Sequence, residues 1–161
     1  MPARDLVLRD AAPGDEGLVG RFVRELAEFE KLAHECQATD EDFRVALFGT
    51  PARCQALIVE LGGEAVGFAL WHHCFSTFSG RAGIYLEDIY VVPERRGGGI
   101  GRAIFRDLAR RAQADGCTHI KWSVLDWNKK AVEFYTSLGA GSLDEWTVRR
   151  LEGSAFEALA K

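Results

Sequence analysis

Residues 96–102 read Arg96, Gly97, Gly98, Gly99, Ile100, Gly101, Arg102, a glycine-dense turn directly ahead of a helical apolar pattern, Ile100, Ile104, Leu108 and Ala112. Backbone N–H groups at a helix N-terminus carry partial positive charge, and glycines let phosphate oxygens approach them closely. The combination suits a pyrophosphate. Two nucleotide motifs are excluded by the letters. Counting G-x-G-x-x-G from Gly97 or Gly99 leaves Arg102 or Ile104 where the third glycine belongs, and no Lys-Ser or Lys-Thr follows for a P-loop. A glycine turn also serves plain chain reversal, so the loop gains meaning only from its surroundings.

The run ahead of the loop, 85–92, carries Glu87 mid-strand between Leu86 and Asp88, where a carboxylate is unexpected unless one sheet face opens onto polar contents. Such a group is placed to accept a proton. Strand alternation puts the adjacent Asp88 on the opposite face, in a structural role. The same alternation separates His72 from His73 and makes them a poor metal pair, so no metal is expected. Cys36, Cys54, Cys74 and Cys117 form no C-x-x-C pair and read as reduced, buried thiols.

These residues need elements to hold them. Alternation over 5–9 reads as a strand, and Leu18, Phe22, Leu26 and Phe29 recur at helical spacing. Thr39 with Asp42 forms a capping-box pattern that opens a short helix, expected to stop at a left-handed Gly49. Residues 56–61 and 65–75 flank Gly62, Gly63 and Glu64 as a hairpin, and 84–92 supplies a third strand. The glycine loop then leads into a helix ending near Gly116. A strand over 119–125, a helix over 128–138 closed by Gly139, and a last strand over 146–151 complete the order. The fold class is α/β, a mixed sheet with helices on both faces, in a single domain over 1–161.

Composition narrows the partners. Of 161 residues 47% are hydrophobic, enough for one core, and the apolar runs are too short for a bilayer span. Residues 1–10 lack the apolar centre of an export signal, so a cytoplasmic location is expected. With 24 acidic against 20 basic side chains the net charge is −4, unsuited to nucleic acid or to an anionic membrane surface. A small cationic molecule fits better.

In the company of its neighbours the loop resembles the GNAT superfamily of N-acetyltransferases. The superfamily pattern Q/R-x-x-G-x-G/A is matched by Arg96, Gly99 and Gly101, behind the strand Tyr85-Leu86-Glu87-Asp88-Ile89-Tyr90-Val91-Val92 and Pro93. Its second half is matched by Asn128-Lys129-Lys130-Ala131-Val132-Glu133-Phe134-Tyr135, then Leu138-Gly139-Ala140. The likeness is strongest to the spermidine/spermine and thialysine acetyltransferase group, through Tyr85-Leu86-Glu87-Asp88, Trp127-Asn128 and the segment from Glu25 to Glu30. It departs from the polyamine enzymes at 76–81, where Arg81 replaces an acidic setting.

The resemblance implies acetyl-CoA as co-substrate, with contacts from Ile89, Tyr90, Val91, Arg96, Gly97, Gly98, Gly99, Ile100, Gly101, Arg102, Asn128, Ala131 and Tyr135. It implies amine contacts from Glu30, Glu87, Asp144 and Glu145, and a homodimer as the assembly. Thioester aminolysis needs a neutral amine, a stabilised oxyanion and a proton for the departing thiolate. The family places the hydroxyl of Tyr135 near the sulfur, and a phenol, ordinarily with a pKa of about 10, holds its proton at neutral pH. Glu87 then takes the ammonium proton, directly or through water. A strand splayed from its neighbour leaves backbone groups for the pantetheine arm at Ile89, Tyr90 and Val91, with a Tyr90 or Val91 amide as oxyanion donor. Asn128 serves equally as helix cap and cofactor contact. The acceptor is a primary amine on a small molecule; a protein N-terminus or lysine, or a non-catalytic acyl-CoA sensor, is the alternative.

Overall fold

A computed structural model describes residues 5–160. They fall into two compact units, one reaching to Leu125 and one beginning at Asp126. In the first, β1 (Leu6–Asp10), β2 (Gln55–Leu61), β3 (Glu64–Ser76), β4 (Arg81–Val91) and β5 (Ile120–Lys121) form one sheet in sequence order. All neighbours are antiparallel except β4 and β5, which are parallel because a helical crossover joins them. The sheet is mixed, as the sequence implies.

Its two faces are covered by different helices. On one face α1 (Glu16–Phe29) and α2 (Asp40–Phe48) bring Val19, Phe22 and Leu47 onto Ala56, Ile58, Phe68, Leu70 and Tyr90. Phe22 stacks on Phe68 with ring centroids 5.7 Å apart, which adds about 1 kcal/mol to the burial of two aromatic side chains. On the other face α3 (Ile100–Ala114) buries Ile100, Ile104, Phe105, Leu108 and Ala112. Its Arg111 guanidinium lies 5.5 Å from the ring centre of Trp71, so odd-numbered Trp71 of β3 faces α3 while Phe68 and Leu70 face α1.

Several local expectations are met. Thr39 and Asp42 form the reciprocal capping box of α2. Residues 62 and 63 turn the β2–β3 hairpin with φ of 61° and 82°, values that glycine adopts without strain. Others are corrected. Gly49 ends α2 with φ −70° and ψ 172°, an extended exit rather than a left-handed one. The strand expected over 119–125 shortens to Ile120–Lys121. In the second unit α4 (Lys129–Ser137) is closed by Gly139 at φ 89°, as expected, but 146–151 forms no strand and is followed by α5 (Gly153–Leu159), which the sequence reading lacked. An alternating pattern marks a strand only where another strand is there to pair, and 146–151 has no ladder partner among the described residues.

Candidate active site

The site is built on a register fault in β4. Leu70 pairs with Asp88 and the next residue, Trp71, pairs with Leu86, so Glu87 is an extra residue, a β-bulge. The bulge inverts the alternation. Below it Leu86 sits opposite Trp71 on the α3 face; above it Asp88 sits opposite Leu70 on the α1 face. Glu87 itself reaches His72, whose ring stacks on Tyr85 at 5.4 Å between centroids. Glu87 and Asp88 therefore share the α1 face, and the expectation that alternation divides them is corrected.

Glu30 joins them. It caps the C-terminal end of α1, and burial alone raises its carboxyl above the usual range. Asp88 is pushed up to about 6, first by burial and then by the negative charges of Glu87 and Glu30. Asp88 thus feels two further carboxylates and holds its proton unusually well. A cation entering this cluster would offset the part of the rise at Asp88 that comes from Glu87 and Glu30. Glu28, by contrast, is exposed.

The bulge also decides which backbone groups are free. The Val92 N–H bonds the Val66 carbonyl, so above the bulge even-numbered residues are turned toward β3 and odd-numbered ones away from it. β5 pairs with β4 only at Ile84 and Tyr85. Ile89 and Val91 consequently present N–H and C=O to an edge that carries no strand among the described residues. Tyr90 does not: its backbone belongs to the β3 ladder, which corrects its assignment as a pantetheine partner and oxyanion donor. Its carbonyl lies so close to Gly67 that a Cβ there would stand 2.5 Å away. Arg96 closes the end of this edge. Its Nε donates to the Val91 carbonyl at 2.7 Å, and its guanidinium lies over the rings of Phe29 and Tyr90 at 4.6 and 5.3 Å.

The loop that follows supplies the anion cradle. Gly97 and Gly99 have φ of 82° and 84°, which side chains rarely tolerate. Gly99 is the N-cap of α3 and has no side chain to bond the first helical amides, so those of Ile100 and Gly101 receive no capping oxygen. Gly98 and Arg102 flank this opening on either side. The cradle fits a pyrophosphate on the chemistry of its donors.

In the second unit Asn128 is the N-cap of α4, its Oδ1 accepting from the Ala131 N–H at 3.3 Å, which realises the capping role. Tyr135 lies on the same helix, with its ring 5.4 Å from that of Phe134. Asp144 accepts from the Ser142 hydroxyl at 2.9 Å and, like Glu145, is exposed. Two residues of the first-unit site escaped the sequence reading: Asp88, set aside on alternation, and His72, considered only as a metal ligand. A bulge has no sequence signature without a partner strand, but two adjacent acids in an apolar strand were a usable signal for Asp88.

A glycine cradle at a helix start, a strand edge left open beside it and acidic groups on the adjoining face are parts that an acyl-CoA-dependent transferase with an amine acceptor needs. Residues 21–140 match the acetyltransferase (GNAT) family, and the chain belongs to that family. It is an acetyl-CoA-dependent N-acetyltransferase. It is 42% identical to the thialysine N-epsilon-acetyltransferase of Mus musculus, over 95% of this chain and 96% of that one. The enzyme of the same name from Sus scrofa is also 42% identical, over 96% and 97%. An integron cassette protein of V. cholerae superposes with a TM-score of 0.80 at 25% identity, covering 99% of each chain. No helix of the described residues is long and apolar enough to cross a membrane.

Proposed function

We propose that this enzyme acetylates the primary amine of a small diamine or thialysine-like acceptor. The observation that carries the reading is the carboxylate cluster of Glu30, Glu87 and Asp88, which favours an acceptor with positive charge. The names of the relatives at 42% identity support the same class. Acetyl-CoA supplies the activated acyl group. The chain's own residues contribute the rest. The amides of Ile100 and Gly101, with Gly97 to Gly99 and Arg102 around them, hold the pyrophosphate. Ile89 and Val91 receive the pantetheine arm as an added strand, and a Val91 or Ile89 amide stabilises the oxyanion. Glu87 accepts the ammonium proton so that a neutral amine attacks. Tyr135 donates a proton to the thiolate as the C–S bond breaks, and Asn128 and Ala131 set the start of its helix. The family resemblance adds Asp144 and Glu145 as amine contacts.

A homodimer is part of this reading, supported by the exposed apolar side chains Trp146, Val148, Phe156 and Leu159 of the second unit, and sedimentation equilibrium measures it. The acceptor class is tested by thiol release with thialysine, lysine, ornithine, short diamines and spermidine. A kcat/KM for thialysine or a diamine at least tenfold above that for amino-terminal peptides supports the reading; the reverse order overturns it. In parallel, Glu87→Gln should lose most rate at neutral pH and recover partly as pH approaches the free amine's pKa. A uniform loss across pH would leave Glu87 a binding role only.

A further inference from the structure

The side chain that touches Glu87 is His72. Its Nε2 stands 3.1 Å from Glu87 Oε1, and its Nδ1 stands 3.0 Å from the backbone carbonyl oxygen of His73. A carbonyl oxygen can only accept, so Nδ1 carries a hydrogen, and Nε2 is the nitrogen that gains or loses the second proton. Nε2 and Oε1 are both acceptors when unprotonated, and one proton between them turns repulsion into a charge-assisted hydrogen bond. The ring is fixed in this pose by stacking on Tyr85, whose hydroxyl is in turn 3.0 Å from Ser123 Oγ. Occupation of Oε1 by His72 leaves Oε2 of Glu87 for the acceptor.

We infer that His72 and Glu87 work as one base, in which His72 receives through Glu87 the proton taken from the acceptor amine. This rests on the reading of Glu87 as proton acceptor. The ammonium N–H bond breaks as Glu87 Oε2 takes the proton. Rotation of the carboxyl group then brings the protonated oxygen to Nε2, which takes the proton to give imidazolium and carboxylate, and the amine nitrogen keeps the electron pair with which it attacks. The imidazolium, whose side chain is 37% exposed, returns the proton to water. The titratable groups around the pair are Asp88 beside Glu87 on β4, Glu30 from the end of α1, which with Glu87 raises Asp88, and the Cys54 thiol ahead of β2, on which the charge of Glu87 is felt. His73 is not involved, since its Nε2 is turned to Asp115 at 3.1 Å beyond the end of α3. His72 is a positioning and relay residue that acts through Glu87.

The test is a pH profile with chemical rescue. His72→Phe keeps a ring to stack on Tyr85, and His72→Ala leaves a hole that imidazole can enter. With thialysine or the best diamine as acceptor, His72→Phe should lower kcat about tenfold with little change in KM, and should move the acid limb of kcat/KM to lower pH, because the limb belongs to the coupled pair. His72→Ala should be equally slow and regain rate with added imidazole, whereas His72→Phe should not. In 15N spectra of the wild type, Nδ1 should be the protonated nitrogen, with Nε2 changing on Glu87→Gln. A His72→Phe enzyme with wild-type kcat and acid limb overturns the relay while leaving Glu87 as base if Glu87→Gln is impaired. If Glu87→Gln is also unimpaired, the reading of Glu87 fails instead. Should His72→Ala not fold, His72→Phe and the spectra decide.

Discussion

Asp88 pays for its place in the site. Its rise from an ordinary 3.8 to about 6 corresponds to about 3 kcal/mol of native-state destabilisation once both states are ionised. Asp88→Asn should therefore stabilise the free protein at pH 7.5 by up to about 3 kcal/mol in urea unfolding, while weakening amine binding. A destabilised variant with unchanged acceptor KM would contradict that account. Because a bound cation favours the ionised form, binding of a diamine at pH 6 should release protons, seen as a dependence of the calorimetric heat on buffer ionisation enthalpy. Tyr135 invites a different experiment. Tyr135→Phe keeps the ring and should preserve CoA affinity, yet lower kcat by about 10²-fold. The loss should shrink with acyl donors whose thiol has a low pKa, since those leave without protonation. Equal leaving-group sensitivity in both proteins would remove Tyr135 from the acid role.

At the scale of the element, the start of α3 and the edge of β4 are the proposed cofactor half of the site. Gly99 occupies a left-handed N-cap at φ 84°, so substitution strains the backbone even where space is open. Gly99→Asp adds that strain and a negative charge facing the pyrophosphate, and CoA affinity measured by calorimetry should fall by 10²-fold or more, about 3 kcal/mol. Unchanged affinity in a folded variant would dismiss the cradle. The β4 bulge is a second device of this kind. One extra residue turns Asp88 toward the α1 face and aims Ile89 and Val91 at the open edge, so in the proposed reading a single irregularity serves both substrates.

For the molecule as a whole Asp15 and Asp88 set opposite pH trends. The guanidinium of Arg9 holds Asp15 below the usual carboxylate range, so its stabilisation is present above pH 3.8 and is lost as pH falls through its lower native value. Asp88 is raised, so its penalty is complete above about pH 6 and disappears as pH falls toward 3.8. The unliganded protein should therefore gain thermal stability between pH 7.5 and about 5, then lose it in stronger acid. Differential scanning calorimetry reads this, and Asp88→Asn should flatten the neutral-side slope. A Tm that falls steadily from pH 7.5 downward would show that Asp88 is not the dominant titrating group.

Much of this protein is legible in its letters because the signals are local. The capping box of Thr39 and Asp42, the Gly62–Gly63 turn, the glycine loop at 97–101 and the cap of Asn128 each depend on residues within a few positions of one another. Periodicity was enough for α1, α3 and the β2–β3 hairpin. Pairing across the sheet is another matter. Alternation separated Glu87 from Asp88, and the register with Leu70 and Trp71, residues far away along the chain, brought them to one face. Tyr90 lost its free amide, His72 gained a carboxylate partner and Glu30 entered an acidic cluster for the same reason. The strand pattern at 146–151 met no pairing edge and stayed irregular. Hydrogen-bond register and burial are properties of two segments at once, so they were settled only when the chain brought those segments together.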